Sequence, residues 1–317
     1  MILLITRRDD LTADYMIERL LERGIPYLRF DVDHYLDDVS LTVEFGQRGS
    51  SGEITTPQGS APLSAIRGVW YRRAMSPRLD HLDLSAGDRW FAERESQHFL
   101  EGALGSIPAR WVNPWWAVHL WERKLAQLSL AAACGFTVPR TLVSTDSPRL
   151  SAFAVEQPVV TKAICQGYIE TGSGVESIYT HAAQLERLSN QAAASLCPTL
   201  IQQRLNKIAD IRLTAIGRLR FAARLDADLP DGLDWRRPGT AISYTPIDVP
   251  GHVAEAVDRM LIETSLRYGA FDFALMPDGD WVFLEVNPAG EFAWIEDKLG
   301  FPLRDSLIEE LLREEFT

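Results

Sequence analysis

The stretch Tyr268-Gly-Ala-Phe-Asp272-Phe-Ala-Leu-Met-Pro-Asp-Gly-Asp-Trp-Val-Phe-Leu-Glu285-Val-Asn287-Pro-Ala-Gly290 reads as two strands of about seven residues around Pro277-Asp278-Gly279-Asp280, a strong hairpin signal. With Asp278 and Gly279 as the two central turn residues, Asp272 and Glu285 come directly opposite one another, with Cβ atoms roughly 5 Å apart on one face. Asn287 lies two steps along the same strand and points the same way. A one-residue change in loop length would turn the two carboxylates to opposite faces.

Opposed carboxylates repel each other unless a cation sits between them. Two anionic oxygens and an amide oxygen suit Mg²⁺, which takes a few protein carboxylates and completes its shell with phosphates and water. The pattern alone suits an amphipathic hairpin with a solvated polar face equally well. The rest of the chain decides, by supplying a nucleotide site or not.

The chain has 317 residues, 46% hydrophobic and 24% charged, an ordinary composition for a globular enzyme of two or three domains. The net charge of −12, with no basic block, argues against a nucleic-acid partner. Met1-Ile-Leu-Leu-Ile is too short for a signal-peptide core and no apolar run is long enough for a membrane span, so no membrane partner is expected. Cys134, Cys165 and Cys197 show no CxxC spacing and cannot all pair, which fits a reduced, cytoplasmic protein. Only four of the 32 basic residues are lysines: Lys124, Lys162, Lys207 and Lys298. An arginine-rich chain can keep lysine where a compact point charge is wanted, though an arginine-rich genome gives the same bias.

Residues 1–31 predict a βαβ start, with Asp10 or Thr12 capping a helix whose Ala13, Met16, Ile17, Leu20 and Leu21 form a buried stripe. Its first turn, Arg7-Arg8-Asp9-Asp10, holds no glycine and hence no dinucleotide fingerprint. Residues 40–60 predict a hairpin. Residues 66–73 return as a strand ending in Arg72 and Arg73, of which at most one can face a given site. A helix is expected over 85–104. After the boundary at Asn113-Pro114 a single helix is expected through Lys124 to Ala133, stopped by Gly135.

Pro158-Val-Val-Thr-Lys162 is a strand with a lysine in its middle, and a buried cation there needs an anionic partner. The glycine-rich 166–174 loop that follows either presents backbone N–H groups to phosphate or is a plain hairpin loop. One helix is expected over 185–196. Thr199 to Leu205 predicts a strand, and strands near 211–216 and 219–225 pair through Gly217. Residues 231–239 have the composition of an exposed loop, and a helix over 252–266 leads into the hairpin. In the C-terminal helix Glu309, Glu310, Glu314 and Glu315 read as solvated.

In order, these pieces resemble the ATP-grasp carboxylate–amine ligases. Within them the chain is most similar to the maturases of graspetides, microviridin-type peptides cross-linked through side-chain esters or amides. The likeness runs over nearly the whole chain and is carried by Val69-Trp-Tyr-Arg-Arg73, Asp210-Ile-Arg212, Asp234-Trp-Arg236, and Phe283-Leu-Glu-Val-Asn-Pro-Ala-Gly290 through Trp294-Ile-Glu296. Glu291 stands where that branch often has glutamine.

The resemblance implies an α/β ATP-grasp fold with an N-terminal Rossmann-like pre-ATP-grasp domain. The expected division is 1–112 for that domain, 113–203 for the central subdomain and 204–317 for the C-terminal subdomain. It implies ATP and Mg²⁺ as cofactors, Lys124 and Lys162 on the phosphates, and Gln203, Arg204 and Leu205 as the adenine hinge, where many relatives carry glutamate in place of Gln203. Asp210 matches an acid near the ribose, unless its short loop faces the peptide. Asp272, Glu285 and Asn287 match the Mg²⁺ ligands.

The partner implied is a ribosomal precursor peptide, leader plus acidic core, and a homodimer is expected. An acidic peptide approaching an acidic protein needs local cations. Arg212, Arg224 and Arg236 are the candidates for catalysis, and Arg72 and Arg73 for substrate binding, since a guanidinium can clamp a carboxylate or phosphate bidentately. A ligase adding glutamate or another amino acid to a protein or peptide would share every nucleotide residue. A peptide-binding pseudo-ligase would not need Lys124, Lys162, Asp272, Glu285 and Asn287 together.

Overall fold

A computed structural model of the chain describes every residue except 36, 38, 48, 73–76, 166, 172, 173, 230, 231 and 315–317. The N-terminal layer is a four-stranded parallel sheet with Tyr27–Asp31, Ile2–Thr6, Gly68–Tyr71 and Arg110–Val112 in that spatial order. Asp10 caps the crossover helix Leu11–Glu22, accepting from the N–H groups of Thr12 and Ala13, while Met16 and Leu20 are buried beneath. The 40–60 region forms three antiparallel strands, Ser40–Gly46, Gly49–Thr56 and Gly59–Pro62.

The largest sheet has five antiparallel strands in the order Ile242–Pro246, Leu219–Ala227, Ala209–Ile216, Tyr268–Leu275 and Trp281–Asn287. Apart from one irregularity in the last strand pair, its strands alternate, so each face has its own content. One face carries Ile211, Leu213, Phe271 and Phe273 against Val253, Val257 and Met260 of the helix Gly251–Thr264. The Phe136 ring stacks on Phe283 at 5.1 Å in the same core. At one end of the other face, Ile216, Ala223, Tyr268 and Ala270 pack on Trp70 and Val112 of the parallel sheet and on Leu303 and Leu307 of the C-terminal helix Leu303–Leu312. The remaining end of that face is polar.

A third sheet holds His181–Ala182, Val159–Lys162, Thr199–Gln203 and Thr141–Ser144 over a small core of Leu150, Leu188 and Ile201. Tyr168–Thr171 and Gly174–Ser177 pair as a separate hairpin across the glycine-rich loop.

Several expectations change. The single helix through Lys124 is two, Trp115–Trp121 and Lys124–Ala133, because Arg123 is extended (φ −85°, ψ 105°) and the Trp121 carbonyl bonds to the Gln127 side chain instead. The helix over 185–196 is also two, Leu185–Leu188 and Gln191–Leu196, the second capped by Asn190. Glu310 is buried, not solvated, held by Arg110 and by Arg313 at 3.3 Å. Glu309 and Glu314 pair with Arg23 and Arg67, and Glu315 lies outside the described residues. Among the described residues no helix is long and apolar enough to cross a membrane.

Candidate active site

Asp272 does face Glu285 across the hairpin, and Ala270 faces Asn287. The route to that register differs from the sequence expectation. Near the turn the pairs are Leu275 with Trp281, Ala274 with Val282 and Phe273 with Phe283, so three residues, Pro277 to Gly279, make the turn rather than two. Gly279 adopts φ 93°, which glycine takes without strain. The extra turn residue would separate the carboxylates, but Leu284 is left without a partner as a β-bulge, and the bulge restores the pairing.

The neighbouring strand sets Arg212 opposite Asp272 and Asp210 opposite Ala274, so both lie on the carboxylate face. Arg212 Nε donates to Asp272 Oδ1 at 2.7 Å and Nη2 to Oδ2 at 3.3 Å. Its guanidinium lies 5.7 Å from the Trp294 ring centre. Asn287 Nδ2 reaches Asp272 Oδ2 at 3.4 Å. Glu285 pairs with Lys124 Nζ at 3.1 Å. Lys124 is the first residue of its helix, and one turn on Gln127 fixes that helix to the hairpin. Val286 N–H donates to Gln127 Oε1 at 2.9 Å, and Gln127 Nε2 donates to the Val286 carbonyl at 2.8 Å.

The electrostatics divide the two carboxyls. Burial pushes Asp272 up, with Glu285 adding to the effect and Arg212 opposing it. Burial would raise Glu285 too, but Lys124, Arg236 and Lys162 together hold it below its ordinary value. Lys162 donates to Gln202 Oε1 at 2.8 Å, and burial, reinforced by Lys207, Lys124 and Arg236, lowers it to about 8 against the pull of Glu285. The buried cation therefore has an amide as its hydrogen-bond partner, with its anion at longer range.

Lys207 grips both oxygens of Asp210 at 2.6 and 2.7 Å and donates to the Leu233 carbonyl at 3.2 Å. Burial raises the Asp210 carboxyl, with Lys207 opposing. Asp234, expected in an exposed loop, is buried. It accepts from Arg236 Nε and Nη2 at 2.9 and 2.8 Å and from the Thr180 N–H at 3.0 Å, and against its burial these donors hold it well below the carboxylate range. Gln203 ends its strand with its N–H on the Arg140 carbonyl, and the Arg204 N–H bonds to the Pro158 carbonyl; Leu205 follows.

Two expected members do not join the cluster. Arg224 pairs opposite Ile211, on the reverse face, and its guanidinium holds Asp226. Arg72 is fully buried on Asp10 and offers no exposed surface to a substrate. Arg73 lies outside the described residues. Sequence reading missed Lys207, Gln202 and Gln127. Lys207 had a signal, lysine scarcity: three of the four lysines converge here and only Lys298 stays outside, on Asp297.

Among the described residues no group of three or more His, Cys, Asp and Glu gathers to hold a metal. A cation at this face would therefore need the Asn287 amide as its third protein donor. The donors fit Mg²⁺: two carboxylates and an amide on one face, the carboxylates 16% and 21% exposed.

Residues 1–119 match the MvdD pre-ATP-grasp domain. Over 99% of both chains, the protein superposes on the macrocyclase MdnC bound with precursor peptide MdnA from Microcystis aeruginosa MRC, at 26% identity and a TM-score of 0.86. The fold is therefore ATP-grasp. The ATP-grasp fold, with its pre-ATP-grasp domain in front, is shared with the Chryseobacterium gregarium RiPP-associated ATP-grasp ligase in complex with ADP and a leader and core peptide. That match has 26% identity, a TM-score of 0.87, and coverage of 98% of this chain and 96% of that one. A third match is the macrocyclase MdnB from Microcystis aeruginosa MRC, at 26% identity, a TM-score of 0.82 and 99% of both chains. No curated protein sequence matches the chain.

Proposed function

We propose that the chain is an ATP-dependent ligase that closes side-chain ester or amide links within a ribosomal precursor peptide. The observation that carries this reading is the meeting of Lys124, Lys162 and the opposed pair Asp272 and Glu285 on one polar face of an ATP-grasp fold. The structural matches bound to precursor peptide or to ADP support it. The three-part division at 112/113 and 203/204 belongs to the same proposal.

In this reading Lys124 and Lys162 hold the phosphates, the 203–205 segment takes the adenine, and Asp210 lies by the ribose or the peptide. Asp272, Glu285 and Asn287 would hold Mg²⁺, which when bound neutralises phosphate charge. A peptide Asp or Glu carboxylate attacks the γ-phosphorus, and the bond to the departing ADP breaks. A Thr or Ser hydroxyl, or a Lys amine, then attacks the acyl carbon and phosphate leaves, with one proton released. The protein contributes position and charge, not a covalent nucleophile. In this reading Arg236, held by Asp234 yet half exposed, clamps the reacting carboxylate or acyl phosphate.

The test is incubation with ATP, Mg²⁺ and the short Thr- and Asp/Glu-rich peptides encoded beside the gene. Each link should remove the mass of one water and release one ADP. A gain of one amino-acid residue mass would instead assign amino-acid addition, and absence of peptide-dependent ADP release would leave a binding protein.

A further inference from the structure

The Val69-Trp-Tyr-Arg72 strand end has no part in the proposed reaction, although its arginine is among the most deeply buried side chains, at 1% exposure. Arg72 Nε donates to Asp10 Oδ2 at 2.7 Å. Its Nη1 donates to two carbonyls, those of Ala289 at 3.0 Å and Gly290 at 3.1 Å. Nη2 makes no hydrogen bond, and Glu291 Oε1 lies 3.8 Å from it. Asp10 is itself fixed by the helix cap and by Thr6 Oγ1 at 2.7 Å. A buried arginine in a rigid setting presents its fork in one orientation.

Those two carbonyls begin two residues after Asn287. The stretch between is held from outside the hairpin as well: Asn113 Nδ2 donates to the Pro288 carbonyl at 2.7 Å, and Tyr268 Oη to the Gly290 carbonyl at 2.8 Å. Every carbonyl from 288 to 290 thus meets a side-chain donor, a density of restraint that joining two layers does not require. Its effect is to fix the exit of the strand on which Asn287 sits, and so the reach of the Asn287 amide toward Asp272.

We infer that Asp10 and Arg72 are positioning residues for the metal donors: Arg72, fixed by Asp10, holds the Ala289 and Gly290 carbonyls from the N-terminal layer and so keeps Asn287 on the carboxylate face. This rests on the reading of Asp272, Glu285 and Asn287 as the metal-binding set.

The experiment titrates the full-length chain, with ADP present, with Mn²⁺ as the probe and reads bound ion by electron paramagnetic resonance. Arg72→Lys and Asp10→Asn should raise the half-saturating Mn²⁺ concentration about tenfold or more, the range seen when groups that orient metal ligands are removed. Arg110→Lys, which alters another arginine of the same sheet, paired with buried Glu310, should leave it unchanged. Asn caps a helix as well as Asp, so Asp10→Asn carries the test if Arg72→Lys does not fold. Unaltered Mn²⁺ affinity in both variants, with only stability lowered, would overturn the inference and leave the metal reading intact. If the unmodified chain binds no Mn²⁺, the metal reading fails and the inference with it.

Discussion

Asp272 and Glu285 face each other at the one place in the hairpin where the ladder slips, with Leu284 left over between the two registers. The slip offsets the three-residue turn, and it puts the carboxylate pair beside a bulge, a feature that increases local twist. The pair is held apart in charge by different partners, Arg212 for one and Lys124 for the other.

Removing Arg212 should therefore expose the cost of the pairing. Arg212 and Asp272 are 9% and 16% exposed, and Arg212→Ala leaves a buried carboxylate with a like-charged neighbour. The expected loss is about 3 kcal/mol in urea unfolding, largely regained in the double variant with Asp272→Asn. Equal losses in single and double variants would mean that the guanidinium matters by packing, not charge.

Nucleotide affinity should depend on pH through Lys162. Its value of about 8 in the free protein lies below its ordinary 10.5, so the charged form is present below pH 8 and is lost above it. Affinity for ADP measured calorimetrically should fall about tenfold from pH 7 to pH 9, the change in the protonated fraction. Lys162→Arg should flatten the profile. The sign for folding is opposite. Between about 8 and 10.5 the unfolded chain holds the extra proton, so this group's contribution to stability rises with pH.

Gly290 is required by space, not by φ. A Cβ there would lie 2.5 Å from Ala270 Cβ and 3.1 Å from Asn287 Cβ. Gly290→Ala should cost about 1–3 kcal/mol, with partial recovery on adding Ala270→Gly, read by thermal or urea unfolding. No recovery in the pair would place the strain elsewhere.

Arg236→Ala should reduce peptide cross-linking by about 10²–10³-fold, the loss typical when one donor to a developing charge is removed. Mn²⁺ binding should persist, since Arg236 contributes no metal donor. Normal cross-linking by mass spectrometry would remove Arg236 from the mechanism.

What the sequence revealed depended on how local the cause was. The hairpin, its polar face and the strand lysine were legible because turn residues and alternation act over a few positions. The placement of Arg224 is local as well: pairing about Gly217 puts Ala223, not Arg224, opposite Arg212. The burial of Arg72 was not legible, since its carbonyl partners lie more than two hundred positions away. The burial of Glu310 and Asp234 also depends on distant partners, Arg110 at 200 positions and Thr180 at 54. The break before Lys124 had no sequence signal, because it is made by a glutamine side chain reaching back to Trp121.

That glutamine has a wider consequence. Trp281–Asn287 is the last strand of its sheet, and a last strand ordinarily offers its outer rim to any extended chain that passes. Here Gln127 occupies both the N–H and the carbonyl of Val286, and the Thr137 carbonyl takes the N–H of Phe283. A side-chain amide stands in for the missing neighbour. An extended peptide, which this protein is proposed to bind, is thereby kept from zipping onto the rim and spoiling the strand that bears Glu285 and Asn287.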